Sequence, residues 1–548
     1  MNLKKYGKIF AGKDGFWQVF LITMLIACLP LFTVNCINGH DVIYHLLRIE
    51  ALAEGIREGL PFLRVNVLFF GGEGYASSMF YPDTLTYIPA MLRAAGVGIN
   101  LSYHIFVAVT IVLGFLSAYF CTKMITLNRQ SALITAVIFT LCQYHIEDIY
   151  TRSAVGEYTA MIFIPLVIYG IWDFMFKDCE KPWILGIGMT GVVLCHTLTT
   201  VFCVGLCVLA VLFSIKKIMA KPSIILKLIA TAVIVLLITA YYWLPMIEQM
   251  NSQVLKYTQD SFDLNYEKLL LKDVFGNAYN NAGWAVFAAV LPRVFIKSKK
   301  NIIKFADMCT VMGILFALCT TGFFPWGRLA RFLGFIQFPW RLFIAASALL
   351  AVAGGIYIYE YVRSRSIPGE MAVMAVVLVM TVSAIGNFES NDQGYYSYSG
   401  DYFSYAPYTA EVIGGEWLPV NAERNKLVKD AGVAYTDNGS EISVTREKNE
   451  LRVTADERSK YLDVPFVYYK GYAAEDSEGR ELKVSGDGEN GRVRVYTQGA
   501  GEIRVFYKGT TLQLLSTAIS AAVLILLIFA VLYKSRFISN ISALKGNK

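Results

Sequence analysis

The chain has 548 residues, 55% of them hydrophobic and only 17% charged, with a mean hydropathy of +0.48. That balance excludes a soluble domain and points to a membrane protein. The net charge of +7 is not a nucleic-acid signal, because lysines and arginines gather at the ends of apolar runs. The ten cysteines lie mostly in apolar runs, with no CxxC pair, and do not read as a disulfide framework.

Lys4, Lys5, Lys8 and Lys13 precede the first apolar run, 16–34, which reads as a retained anchor: no small-residue cleavage site precedes Cys36. A large first outer loop (35–100) follows and opens with Gly39-His40-Asp41-Val42-Ile43-Tyr44-His45-Leu46-Leu47-Arg48. With a helix from Val42 onward, Asp41, His45 and Arg48 stand at i, i+4 and i+7, so a carboxylate, an imidazole and a guanidinium share one face. That set suits a base, a metal ligand or an acceptor-binding group. The alternative is a solvated amphipathic helix, since Glu50, Glu54, Arg57 and Glu58 continue the charges. The loop goes on through a glycine-rich turn, Gly71-Gly72-Glu73-Gly74-Tyr75, then Phe80-Tyr81-Pro82-Asp83, and a short surface helix over 85–92.

Further spans are predicted at 101–125, 131–145, 158–176, 183–196, 198–215, 223–244, 282–296, 305–321, 340–361, 369–387 and 511–533, about twelve in all with the first. The clusters Lys123–Arg129, Lys177–Lys181, Lys216–Lys227, Arg293–Lys304, Arg363–Arg365 and Lys534–Lys548 read as cytoplasmic, as do both termini. The first loop, 145–157, the turn near His196, 245–281, 322–339 and 388–510 then face outward. In 388–510, alternation in Ile442-Ser443-Val444, Leu451-Arg452-Val453-Thr454, Arg492-Val493-Arg494-Val495-Tyr496 and Glu502-Ile503-Arg504-Val505-Phe506-Tyr507, separated by glycine turns, predicts an antiparallel β sandwich. Its leader is rich in tyrosine (Tyr395, Tyr396, Tyr398, Tyr402, Tyr405, Tyr408), which suits a membrane interface more than sugar stacking. The organisation expected is an all-α polytopic membrane domain over 1–387, an extracytoplasmic β domain over 388–510, and a final helix with a basic tail over 511–548.

Polar residues collect on the outer side. His40, His45, His145 and His196 fall near the outer ends of spans, and the loop 145–157 carries Glu147, Asp148, Arg152 and Glu157. Arg328 and Arg331 follow in 322–339, and Phe338-Pro339-Trp340-Arg341 opens the tenth span. Arginine at headgroup level suits bidentate phosphate contact; taken alone, Arg341 reads as an interfacial anchor beside Trp340. Convergence from at least four loops favours a site. The metal readings are zinc on His40, His45, His145 and His196, or a divalent ion on Asp41 and another carboxylate; no compact ligand motif supports either. Walker, GxGxxG, GxSxG and HExxH patterns do not occur.

A first-loop carboxylate, an amphipathic helix after it and a trailing outer domain resemble the GT-C class of membrane glycosyltransferases, which use lipid-phosphate-linked sugar donors. More closely, Gly39-His40-Asp41 with His45 and Arg48, Phe80-Tyr81-Pro82, Arg152 with Glu157, Gln337-Phe338-Pro339-Trp340-Arg341 and Glu416-Trp417-Leu418-Pro419 resemble one bacterial family. It is labelled membrane protein, 6-pyruvoyl-tetrahydropterin synthase-related, and is close to the YfhO-like proteins; the resemblance runs over about 35–475. The zinc synthase of that label has a compact histidine site with no counterpart here, so its activity is not carried over.

The resemblance implies a GT-C-like fold in the plasma membrane, a polyprenyl-phosphate sugar donor, and a glycan, lipid or wall-polymer acceptor outside the cell. It implies Asp41 as the acid that activates the acceptor or holds a metal, and a second catalytic acid, Glu157, with Asp148 and Glu147 as the other candidates. Arg331 and Arg341 become donor-phosphate ligands on chemistry alone. His40, His45, Arg48, Tyr81, Asp148, Arg152 and His196 complete the expected substrate-binding set. A divalent metal stays an open question. A flippase is disfavoured, since Asp173, Lys227, Asp307 and Glu360 lie near span ends and no internal repeat is visible. A non-catalytic assembly protein whose β domain binds wall polymer is the remaining alternative.

Overall fold

A computed structural model describes residues 13–258, 263–276, 279–390, 393–398, 415–456 and 458–546. Lys4, Lys5 and Lys8 of the predicted basic leader, Tyr402, Tyr405 and Tyr408, and the side chains of 534–548 lie outside that description. Among the described residues, six helices are long and apolar enough to cross a membrane: Ile99–Thr126, Val155–Phe176, Asn301–Cys319, Pro339–Ser364, Gly369–Glu389 and Thr511–Tyr533. Two bent pairs, Arg129–Leu141 with Gln143–Tyr150 and Ser223–Ile238 with Ala240–Met250, raise the number to eight. The other four predicted spans fall on shorter apolar helices, Gly15–Ala27, Pro182–Val193, Thr197–Phe213 and Trp284–Phe295, so length supports six to eight crossings rather than twelve. The first is cut short where Pro30 enters a 3-10 turn over Leu29–Leu31.

Two helices form the centre: α1 (Arg129–Leu141) and α2 (Phe343–Ser364), buried from Ser131 to Leu141 and from Phe343 to Tyr357. A helix apolar on every side belongs inside a bundle. They cross closely because α2 is small at the crossing. A Cβ on Gly355 would stand 2.0 Å from Thr135 Oγ1, and Ser131 Oγ donates to the Gly355 carbonyl at 3.1 Å. Ser131 and Thr135 lie near Gly355 while Tyr144 packs on Phe343, so the two run antiparallel. The C-terminal end of α1 and the N-terminal end of α2 therefore meet at one end of the bundle. Gln130 and Glu370 pair at the other end (2.6 Å).

The first loop covers the meeting end. Its helix α3 (Val42–Arg57) is mostly buried, which corrects the solvated alternative. The predicted surface helix appears as Tyr87–Ala94, and its Arg93 Nε holds buried Glu50 at 2.7 Å.

The β region sits on the same loop. Strands β1 (Cys36–Ile37) and β2 (Tyr395–Tyr396) pair antiparallel, joining the two chain segments that lead into and out of the bundle. Tyr395 and Tyr396 are exposed, whereas Tyr398 is buried and donates to Asn38 Oδ1 at 2.9 Å. Ten further strands, β3 (Val433–Thr436), β4 (Glu441–Ser443), β5 (Thr445–Glu447), β6 (Glu450–Thr454), β7 (Tyr461–Val467), β8 (Tyr472–Asp476), β9 (Glu481–Leu482), β10 (Val484–Ser485), β11 (Arg492–Tyr496) and β12 (Glu502–Tyr507), make two five-stranded antiparallel sheets ordered β10-β11-β7-β3-β4 and β5-β6-β12-β8-β9. Inward residues such as Leu451, Val453, Leu462, Val464, Val493, Val495, Ile503 and Val505 are buried, the alternation read from sequence. The glycine-rich turn docks here: Gly72 and Gly74 take φ +104° and +87°, values that glycine adopts freely. Between them Glu73 forms a fully buried bidentate pair with Arg492. Trp417 stacks on Phe80 at 4.5 Å, and its backbone N–H donates to Tyr75 Oη at 3.1 Å.

Candidate active site

The site is built at the meeting end of α1 and α2. Past Cys142 the chain bends by 42° into α4 (Gln143–Tyr150), which carries Glu147 and Asp148. Ser153, at φ +54°, then turns the chain into α5 (Val155–Met161), whose first turn holds Glu157. Across from it, Gln337 at φ +61° and the turn Pro339–Leu342 deliver Arg341 just before α2. Arg152 Nη1 and Nη2 donate to Glu157 Oε2 and Oε1 at 2.9 and 2.8 Å, and Nη1 also meets Asp148 Oδ1 at 2.5 Å. Tyr144 Oη adds a bond to Glu157 at 3.0 Å. Arg341 Nε lies 3.1 Å from Glu157 Oε1, and its Nη1 donates to Gln337 Oε1 at 2.6 Å. The Arg152 guanidinium stands 4.4 Å over the Trp340 ring. Two buried carboxylates are thus matched by two guanidiniums, as buried charge requires.

Asp41 differs from both acids. The segment before α3 lies along the 151–152 backbone: His40 N donates to Thr151 O at 3.0 Å and Asp41 N to Arg152 O at 2.9 Å. Glycine at 39 permits this approach, since a Cβ there would stand 2.2 Å from Ser153 Oγ and 2.9 Å from Tyr150 O. The Asp41 side chain does not cap α3 and makes no hydrogen bond or ion pair among the described residues. It is exposed, yet the protein around it is dense enough that burial raises its carboxyl above the ordinary range, against the pull of Arg152 and Arg341. Both properties describe a side chain at the floor of a recess. His40 beside it contacts Tyr279 Oη through Nδ1 at 3.1 Å, and burial and Arg152 lower its pKa.

A second tier flanks the recess. Arg48 is buried; it reaches His45 Nδ1 at 3.1 Å, donates to the Pro82 and Tyr81 carbonyls at 3.0 and 3.3 Å, pairs with Asp83 and stacks 4.5 Å from the Tyr81 ring. Tyr81 Oη accepts from Gly156 N at 3.2 Å, where a Cβ would come within 2.5 Å of that oxygen. His196 stands 6.1 Å from the Tyr81 ring, between Pro182–Val193 and Thr197–Phe213.

No family model matches the chain. An uncharacterized protein of Lactococcus lactis subsp. cremoris (strain MG1363) is 20% identical over 585 residues, 92% of each chain. Among solved structures, the mycobacterial arabinofuranosyltransferase AftD superposes with TM-score 0.44 and 13% identity, covering 70% of this chain and 27% of AftD. The Archaeoglobus fulgidus oligosaccharyltransferase in the apo form gives 0.41 and 12%, covering 74% and 60%. ArnT from Cupriavidus metallidurans bound to undecaprenyl phosphate gives 0.41 and 11%, covering 74% and 78%. The chain thus spans about a quarter of AftD and under two thirds of the oligosaccharyltransferase.

Of the expected site residues, Asp41, Asp148, Arg152, Glu157 and Arg341 gather in the primary cluster, with His40 beside them and His45, Arg48, Tyr81 and His196 in the second tier. Arg331 does not join them. It is exposed on the helix Trp326–Leu333, near exposed Phe323, Phe332 and Phe335, without an ion pair among the described residues. His145 packs on Phe139 at 5.5 Å. Among the described residues no three His, Cys, Asp or Glu side chains converge as metal ligands, which corrects the four-histidine zinc reading. The acids nearest Asp41 are already held by Arg152, so the donor set does not fit a divalent ion. Sequence reading missed Tyr144, Trp340, Tyr279 and Asp83 as site partners. Asp83 and Trp340 sit inside quoted motifs, but nothing local assigns an aspartate to an arginine on another helix.

Proposed function

We propose that the protein is a membrane glycosyltransferase of the GT-C class that moves a sugar from a polyprenyl-phosphate donor to a hydroxyl of an acceptor outside the cell, at the bundle end that carries the first loop. The observation that carries this reading is the division among three acids: Asp148 and Glu157 are locked to arginines, while Asp41 is exposed and unpartnered beside them. The acceptor oxygen attacks the anomeric carbon with inversion as the bond from that carbon to the phosphate oxygen breaks. The electron pair leaves with the lipid phosphate, and the hydroxyl proton passes to an Asp41 oxygen. Arg341 faces the leaving phosphate: Nη1 is held by Gln337, Nε lies against Glu157, and Nη2 is open among the described residues. A fixed guanidinium there stabilises charge that grows in the transition state. Glu157 in this scheme positions Arg152 and Arg341 and takes no proton.

The residues behind the YfhO-like resemblance, Gly39-His40-Asp41, Tyr81, Arg152 with Glu157, and Gln337 with Arg341, meet at this one place, which supports a shared role for them in the site. The positive-inside pattern supports an outward-facing site, with Gln130 and Glu370 at the cytoplasmic end. The test is reconstitution: purified protein in proteoliposomes is given polyprenyl-phosphate sugars and acceptor glycans. Release of the lipid phosphate coupled to glycan extension is expected; no turnover with any such donor would contradict the proposal.

A further inference from the structure

The hydrogen bonds of two imidazoles fix which nitrogen of each carries the proton. Arg48 Nη1 lies 3.1 Å from His45 Nδ1. A guanidinium only donates, so Nδ1 is the bare nitrogen and the proton of the neutral ring is on Nε2. His196 is fixed in the same way: its Nδ1 accepts from the Thr199 backbone N–H at 3.4 Å, with the Thr199 hydroxyl 2.8 Å away. An N–H donor to Nδ1 again leaves the proton on Nε2.

Neither Nε2–H has a protein partner among the described residues, although His45 is only 1% exposed. An N–H donor without a protein partner is satisfied by water or by a ligand oxygen. The Tyr81 ring stands 5.5 Å from one imidazole and 6.1 Å from the other. Tyr81 and His196 both feel the charge of Glu157, Tyr81 also that of Asp41, and His196 also that of Arg341. The two rings therefore lie near the recess, on the side of the Tyr81 ring.

We infer that His45 and His196 are paired neutral N–H donors that bind uncharged oxygens of the transferred sugar, its hydroxyls or ring oxygen, and are neither bases nor metal ligands. The inference rests on the glycosyl-transfer reading. An uncharged oxygen fits because the cation for the phosphate is already supplied by Arg341, and a neutral donor matches a neutral acceptor. A charged His45 would face Arg48 at hydrogen-bond distance. Burial and that guanidinium hold its pKa well below the ordinary range. The groups facing it are Arg48 and Tyr44 on its own helix, and Tyr81 and His196 across from it. His196 faces Glu157, Arg341 and Arg152.

Each ring also has a structural use, since His45 accepts from Arg48 and His196 caps Thr197–Phe213. Two substitutions separate the uses. Asparagine places its oxygen where Nδ1 was and loses the distal donor; glutamine places an N–H near Nε2 and loses the proximal acceptor. Asparagine is moreover a strong helix N-cap. With the reconstituted full chain, His45→Asn and His196→Asn are each expected to fold normally and to lower kcat/KM about tenfold, one lost hydrogen bond, with the glutamine variants closer to wild type. A purely structural role gives the opposite order. Nitrogen-15 NMR of histidine-labelled protein is expected to show the Nε2–H tautomer for both rings from pH 5 to 8. Asparagine variants as active as wild type overturn the donor role whatever the tautomer, and an Nδ1–H or charged ring overturns it whatever the activity. A wild-type protein without any transfer instead removes the functional reading and the sugar ligand with it, while the NMR result still decides whether the donors exist.

Discussion

At the residue scale, three neighbouring carboxylates are given different work by their surroundings. Glu157 is buried and receives Arg152, Tyr144 and Arg341, so Glu157→Gln strips the charge that balances two guanidiniums. A loss of about 3–5 kcal/mol is expected, the cost of leaving a buried ion unpaired, and thermal unfolding in detergent measures it. Asp41 carries no such load, and Asp41→Asn is expected to shift stability by no more than about 0.5 kcal/mol. Its raised carboxyl sets the pH dependence. The base works only when ionised, so transfer rises with pH through a midpoint above the ordinary carboxylate range and falls away on the acid side; the pH profile of kcat/KM reads this directly. A midpoint in the ordinary range or below it would contradict the recessed position. The motif spacing made Asp41, His45 and Arg48 legible as one group. It did not show that Arg48 turns inward to Asp83 and the 81–82 carbonyls, because those partners come from a distant part of the loop.

At the scale of elements, the site depends on how closely three chain segments approach. Gly39 lies against Ser153 and Tyr150. Gly39→Ala is expected to push the Asp41 segment off the 151–152 backbone, costing about 1–3 kcal/mol as overpacking does and lowering transfer more than stability. Activity alongside unfolding temperature checks this, and an unaffected Gly39→Ala enzyme would show that the approach is looser. The positions of the apolar helices were readable from hydropathy; their breaks were not. The bend at Cys142 and the break between the helices on either side of His196 fall at the polar residues of the site. The Trp326–Leu333 helix presents exposed Phe332 beside Arg328 and Arg331, so its arginine-rich sequence reads as a surface feature in the fold and not as a wall of the cluster.

At the scale of the molecule, the β region is fastened to the same loop that carries Asp41. Glu73→Gln leaves Arg492 buried without its ion-pair partner, and about 3–5 kcal/mol of destabilisation is expected, read as earlier protease cleavage between the β region and the bundle. The β sheets were legible because strand alternation survives in a soluble-like sequence; their docking on Glu73, Tyr75 and Phe80 of the first loop was not. The charge pattern predicts an orientation: cysteines placed at Ser298 and Ser390 are expected to label from opposite sides of the membrane, and labelling from one side would overturn that prediction. The central claim is that Asp41 takes the acceptor proton, and the most direct measurement is sugar transfer from a polyprenyl-phosphate donor by Asp41→Asn in proteoliposomes. A loss of roughly 10²–10⁴-fold in a protein that melts like wild type is the expected result, and wild-type turnover by that variant would contradict it.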